Sequence, residues 1–234
     1  MAKKYAAVVL AAGSGKRMNT KVHKQYLIIQ DKPVLYYSLN AFEQSSVDEI
    51  ILVVGKGEVE YCQKEIVEKY SFSKVTKIVE GGKERYHSVF EGLKQIKDAD
   101  YVLIHDGARP FVDRKIIRRT MDAVEEYQAC VVGMPVKDTI KIADEREYVK
   151  KTPERKNVWM VQTPQAFSYP LIYSAYEEML KKEDSAITDD TMVLERIKGI
   201  KAKLIEGSYR NIKITTPEDL IIADAYMKSP ENGA

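Results

Sequence analysis

A chain of 234 residues, 44% hydrophobic and 31% charged, can bury roughly 70–75% of its unfolded surface and needs no disulfide or metal staple to hold a core. Its formal net charge of +2 gives no electrostatic footprint for nucleic acid or for an anionic membrane face, so composition argues against both partners. Cys62 and Cys130 are the only cysteines, and with His23, His87 and His105 they form no zinc-ligand spacing.

Lys3 and Lys4 precede the apolar run Tyr5–Ala12, a superficial likeness to a secretory leader. The run is barely long enough, and Lys16 and Arg17 follow almost at once, so it reads as a strand instead. YAAVVLAAG is continuous and apolar, then stops at glycine, as a strand buried on both faces does. Similar runs recur at 49–54, 74–79, 101–106 and 129–136. Helical spacing fills the gaps at 33–44, 84–96 and 113–127, with Pro33 suited to a first turn. Strands alternating with helices imply crossovers and a mainly parallel sheet covered on both sides. After residue 137 the rhythm changes: 139–144 and 148–153 are short, charged and alternating, which predicts an exposed hairpin. Helices near 169–182 and 189–198, a strand at 200–206 and a last helix from Pro217 to Lys228 follow. Thr216, Pro217, Glu218 and Asp219 make a coherent start to that helix. The expectation is one α/β domain over 1–234, Rossmann-like, with a β-arm projecting at about 137–157. Nowhere does an apolar run approach the ~20 residues of a membrane span, and the two thiols suit a reducing compartment, so a cytoplasmic location is expected.

The strongest local signal is LAAGSGKRM at 10–18. Ala11, Ala12, Gly13 and Gly15 let the backbone turn sharply and approach a ligand, and N–H groups in such a turn cradle phosphate. Lys16, Arg17 and Lys24 add positive charge. A Walker A loop would need glycine at Leu10 and a hydroxyl at Arg17; a dinucleotide fingerprint would need glycine at Met18. The loop is therefore of another kind, or a plain glycine turn with solvated lysines. Asp106 stands at the carboxyl end of the strand-like YVLIH, where a hard oxygen ligand suits Mg²⁺ and a turn cap is the alternative.

LAAGSGKRM with KQY at 24–26 resembles the sugar-nucleotide-type nucleotidyltransferases. EGGKERYHSVFEGL (80–93), LIHDGARPF (103–111), PVKDTIK (135–141), WMVQTPQAF (159–167), ITDD (187–190) and NIKITTPEDL (211–220) narrow the likeness. In that order they resemble the 2-C-methyl-D-erythritol 4-phosphate cytidylyltransferase family of the non-mevalonate isoprenoid pathway. His23 departs from the family's usual proline before KQ.

The resemblance implies CTP and a phosphorylated polyol as partners and Mg²⁺ as cofactor. It sets Arg17 and Lys24 on the CTP phosphates as catalytic cations, with Arg155 and Lys213 clamping the phosphate of the second substrate. Gly81, Gly82 and Ser88 would meet cytosine and ribose, and Asp106 the nucleotide or its metal. Asp138, Thr139, Thr163 and Thr188 would be polar contacts to the alcohol or its phosphate. It further implies a homodimer in which the arm swaps between subunits. Two readings stay open: a cytidylyltransferase for ribitol 5-phosphate or another polyol phosphate, and a nucleotide-binding module without catalysis on the same fold.

Overall fold

The computed structural model describes residues 2–13, 18, 22–181 and 187–229. Its strands are β1 (Tyr5–Ala11), β2 (Ile28–Ile29), β3 (Lys32–Pro33), β4 (Glu49–Val54), β5 (Val75–Glu80), β6 (Tyr101–Asp106), β7 (Ala129–Pro135), β8 (Ile142–Ala143), β9 (Val149–Lys151), β10 (Trp159–Ser168) and β11 (Lys203–Glu206). The helices are α1 (Val34–Glu43), α2 (Val59–Cys62, continued as a π-turn over Gln63–Glu68), α3 (Arg85–Leu93), α4 (Arg114–Tyr127), α5 (Tyr169–Lys181), α6 (Asp190–Lys198) and α7 (Pro217–Met227).

Seven strands form one sheet in the order β11-β7-β10-β6-β1-β4-β5. Every neighbouring pair is parallel except the two that β10 makes, with β6 and with β7. Side chains alternate across the pleat. Ala7, Val9 and Ala11 of β1 therefore join one core with α1, α2 and α4, while Ala6 and Val8 join a second core with α3, α5 and α6. Both faces are covered, which is why the parallel strands read as unbroken apolar runs.

The order of strands positions the site. From β1 the chain proceeds outward to β4 and β5, then returns to place β6 on the other side of β1. The carboxyl ends of β1 and β6 thus flank the point where the winding reverses, the usual ligand crevice of an open α/β sheet. At one rim, α7 begins with Pro217, and the Asp219 carboxylate accepts from the N–H groups of Thr215 and Thr216, each at 2.8 Å. The β8–β9 pair stands off the sheet as the expected arm, with all its residues exposed.

Several expectations needed adjustment: the strand at 200–206 is confined to β11, and α2 with its π-turn and the β2–β3 pair had no counterpart among the expected elements. β10 is a full strand of ten residues where only a polar motif was apparent, and the expected hairpin is shorter than 139–153.

Candidate active site

Ala11, Ala12 and Gly13 leave the end of β1, and Asp106, Gly107 and Ala108 leave the end of β6 beside them. A cleft of about 330 Å³ opens there, lined also by Lys24, Gln25, Gly82, Lys83, Glu84, Arg85, Ser88 and Lys213. A larger hollow of about 780 Å³ lies against α1 and the start of α4, but shares no residue with these groups. Chemistry rather than volume selects the smaller one.

Each cleft group has a local reason for its place. Lys24 opens a one-turn 3₁₀ segment, Lys24–Tyr26, whose Gln25 is buried and donates its amide to the Ala11 carbonyl, tying the segment to the end of β1. The Lys24 ammonium donates to the Ile214 carbonyl at 2.8 Å, next to Lys213. His23 pairs through Nδ1 with Glu58 at 2.6 Å, and Glu58 also accepts from the Tyr26 hydroxyl and the Gly55 N–H. His23 therefore fastens the lysine segment to the turn after β4. Gly81 is required by close approach: a Cβ there would lie 2.6 Å from both the Ala12 Cβ and the Ser88 Oγ. The Gly82 N–H donates to Ser88 Oγ at 3.1 Å.

Asp106 is the electrostatic centre. Lys213 Nζ donates to its Oδ2 at 2.8 Å, Arg85 Nε to its Oδ1 at 3.2 Å, and Arg109 Nε stands 3.9 Å from Oδ2. Burial pushes the carboxyl up, but Arg85, Lys213 and Arg109 together outweigh it and hold the group well below the usual carboxylate range. It is ionised at any working pH. Its backbone N–H donates to the Thr163 hydroxyl at 3.1 Å, and that hydroxyl meets His105 Nδ1 at 3.0 Å. Burial drives the His105 pKa down to about 3, the neighbouring Asp106 charge opposing it only in part, so the ring is neutral. The neutral ring donates from Nε2 to the Arg109 carbonyl at 3.3 Å.

This histidine carries a prediction for stability. Its folded pKa lies below the ordinary value, so on acidification the unfolded chain binds the proton first. Stability is complete above about pH 6.5 and falls as the pH drops toward 3, by about 2–3 kcal/mol between pH 7.5 and 4.5. Urea melts of His105→Gln in metal-free buffer should show a clearly smaller drop over that interval. An equal drop in both proteins contradicts the buried neutral ring.

The chain as a whole is similar to known proteins. Residues 5–229 match the family model "IspD: 2-C-methyl-D-erythritol 4-phosphate cytidylyltransferase". The chain is 50% identical over 229 residues, 98% of each chain, to a protein of that name from Lachnoclostridium phytofermentans. It is 52% identical over 224 residues to one from Lachnospira eligens, covering 95% of this chain and 98% of that one. The crystal structure of 4-diphosphocytidyl-2C-methyl-D-erythritol synthase from Anaerococcus prevotii superposes with a TM-score of 0.86 at 39% identity, over 97% of both chains. The chain belongs to the 2-C-methyl-D-erythritol 4-phosphate cytidylyltransferase family. It is therefore a nucleotidyltransferase, on the mainly parallel α/β sheet that the family's solved structures share.

Within this family's frame, the expected site residues divide. Ala11, Ala12, Gly13, Lys24, Gly82, Ser88, Asp106 and Lys213 line one cleft, and Gly81 abuts it. Gly15 and Arg17 lie outside the described residues. Thr163 is buried behind Asp106 and braces it instead of facing the cleft. Thr188 is exposed before α6, its hydroxyl near the Met192 sulfur. Asp138 and Thr139 are exposed where the chain enters the arm, and Arg155 at its exit donates to the Lys137 carbonyl at 3.2 Å. Within one chain these arm residues are not among the cleft lining.

Sequence reading passed over Arg85, Arg109 and Asp190. All three sit in motifs quoted above, but Arg85 meets Asp106 and Asp190 from 21 and 105 residues away, and Arg109, besides its near neighbour Asp106, is held by the Asn211 carbonyl 102 residues on, which spacing does not reveal. As for a metal, no cluster of three His, Cys, Asp or Glu side chains occurs among the described residues. One ionised carboxylate at the cleft floor suits a Mg²⁺ ion held mainly by substrate phosphates, not an all-protein cage. Nor is any helix among the described residues long and apolar enough to cross a membrane.

Proposed function

We propose that the β1/β6 cleft transfers the cytidylyl group of CTP to the phosphate of 2-C-methyl-D-erythritol 4-phosphate, giving 4-diphosphocytidyl-2-C-methyl-D-erythritol and pyrophosphate. The observation that carries this reading is the meeting of strand-end glycines, Lys24, Lys213 and an ionised Asp106 in one cleft. Both reactants are anions. Two unit charges 4 Å apart repel by about 4 kcal/mol at an effective dielectric of 20, and a phosphate approaching a triphosphate multiplies such terms. Fixed cations on both sides offset that repulsion.

In the step itself, a phosphate oxygen of the alcohol attacks the α-phosphorus in line. One P–O bond forms, the bond to the β-phosphate oxygen breaks, and pyrophosphate leaves with the electron pair. The attacking phosphate is already anionic, so no side chain has to act as base, and neutral His105 has no proton-transfer part. Lys24 and, from its motif, Arg17 stabilise the charge spreading over the five-coordinate phosphorus and the leaving group. Lys213, now on Asp106, is free to turn to the incoming phosphate. Backbone groups at Gly81 and Gly82 with Ser88 read cytosine and ribose. Mg²⁺, bound by the triphosphate with Asp106 at hand, would neutralise phosphate charge.

Arg155, Asp138 and Thr139 belong to this scheme through a second subunit, while Thr188, exposed before α6, is a polar contact to the alcohol or its phosphate. The arm exposes Ile142, Tyr148 and Val149, and the nearby edge of β10 exposes Met160 and Val161. A two-stranded arm is marginal by itself and gains by packing on a partner. We read the molecule as one domain and a cytoplasmic homodimer in which each arm brings Arg155 to the other subunit's cleft.

The test is a substrate panel: purified protein, CTP, Mg²⁺, and either methylerythritol phosphate or ribitol 5-phosphate, with pyrophosphate measured. Release should require the alcohol phosphate and favour methylerythritol phosphate. A preference for ribitol 5-phosphate overturns the assignment of the alcohol; nucleotide binding without release under every condition overturns catalysis.

A further inference from the structure

Arg85 touches two carboxylates at once. Its Nη1 and Nη2 donate to Asp190 Oδ1 and Oδ2 at 2.7 and 2.8 Å, a bidentate pair, while Nε reaches Asp106 Oδ1 at 3.2 Å. Asp190 is wholly buried and does not line the cleft. The Tyr176 hydroxyl, also wholly buried, donates to Asp190 Oδ1 at 2.6 Å. At the backbone, the N–H groups of Asp190 and Thr191 donate to Gln165 Oε1 at 3.0 and 3.1 Å, so the first turn of α6 is pinned to β10. Both oxygens of the Asp190 carboxylate are thus taken by one guanidinium, and its backbone donor is fixed to β10.

A buried ion pair is weak evidence for stability, because desolvation offsets most of its attraction. Geometry gives this one a different role. A planar guanidinium left to itself takes a carboxylate through two parallel bonds. Locked onto Asp190, Arg85 has only Nε for Asp106, which leaves Asp106 Oδ2 to Lys213 in the cleft. Released from Asp190, the same guanidinium would turn and cover both Asp106 oxygens.

We infer that Asp190, braced by Tyr176, is a positioning residue that acts through Arg85 to keep the Asp106 carboxylate open toward the nucleotide. The inference rests on the proposed reading of this cleft as the CTP site and adds residues to it that do not touch substrate. Its signature is selective. Asp106 and Arg85 lie beside the strand-end glycines that would hold CTP, so disturbing them should raise the KM for CTP well beyond that for the alcohol phosphate, which feels the change only through Lys213 on Asp106 Oδ2. A merely structural pair would lower the amount of active enzyme and spare both constants.

The experiment compares wild type, Asp190→Asn and Tyr176→Phe by thermal melting and by steady-state kinetics with each substrate varied. Asp190→Asn should raise the KM for CTP about fivefold or more, with the KM for the alcohol phosphate within about twofold, since losing one well-placed polar contact to the nucleotide is a factor of about that size. Tyr176→Phe keeps the charge and should give a two- to threefold rise in the same constant. Should Asp190→Asn not fold, Tyr176→Phe decides. Unchanged CTP constants in folded variants, or equal shifts for both substrates, overturn the inference. Absence of pyrophosphate release by wild type would instead overturn the functional reading beneath it, so the two failures are distinguishable.

Discussion

Lys24→Ala should lower kcat by on the order of 10³, about 4 kcal/mol of transition-state stabilisation, the scale of a single phosphate-directed cation in phosphoryl transfer. Folding should hardly change. The turn that presents Lys24 is anchored by its neighbours, Gln25 on the Ala11 carbonyl and Tyr26 on Glu58, and both anchors survive the substitution. The loss should fall on kcat more than on the KM for CTP, because negative charge grows at the α-phosphorus and the departing pyrophosphate only as the reaction proceeds. The measurement is a steady-state rate at saturating substrates beside a melting curve. A folded Lys24→Ala enzyme within about threefold of the wild-type rate removes Lys24 from the chemistry.

The second large effect concerns Arg155, which is exposed at the foot of the arm and whose side chain donates to the Lys137 carbonyl. An exposed side chain of this kind adds little to stability, so Arg155→Ala should fold normally. Loss of a charge-assisted bond to a phosphate should raise the KM for the alcohol phosphate about 10- to 100-fold. If the arms exchange, each site combines Lys24 of one subunit with Arg155 of the other. Unfolding and refolding Lys24→Ala with Arg155→Ala in equal amounts would then assemble mixed dimers, half of the population at random, with one intact site in two. Assayed with the alcohol phosphate below the wild-type KM, where both parents are nearly silent, about one quarter of wild-type activity should return. Mixing that restores nothing, from two variants each folded and dimeric, assigns Arg155 to its own subunit or to no site.

Much of this architecture was legible because parallel strands covered on both sides leave an unmistakable apolar trace: Ala6 to Val9, Ile50 to Val54 and Val102 to Ile104 are each fully buried. The strand β10 left none. Its buried positions include Gln162, Thr163 and Gln165, whose polar groups are satisfied by residues far along the chain. Gln162 donates to the Ser208 carbonyl and Gln165 to Asp189, while Pro164 interrupts the pattern further. Periodicity cannot register such a strand, because what makes its polar residues tolerable inside is tertiary. The site shows the same division. Gly13, Lys24 and Asp106 are findable because they stand at strand ends or in a glycine loop. The role of Thr163 as a brace behind Asp106, and the pairing of Arg85 with Asp190, exist only once β6, β10, α3 and α6 have been brought together.

The central physical claim is that fixed positive charge around Asp106 and the β1 loop lets two phosphorylated anions react with each other rather than with water. ³¹P NMR of the protein with CTP, Mg²⁺ and methylerythritol phosphate tests it directly. The expected record is the loss of the phosphomonoester signal and its replacement by a diphosphate diester, with one pyrophosphate formed for each. CMP accumulating while the phosphomonoester persists, or a spectrum that never changes, would contradict the account.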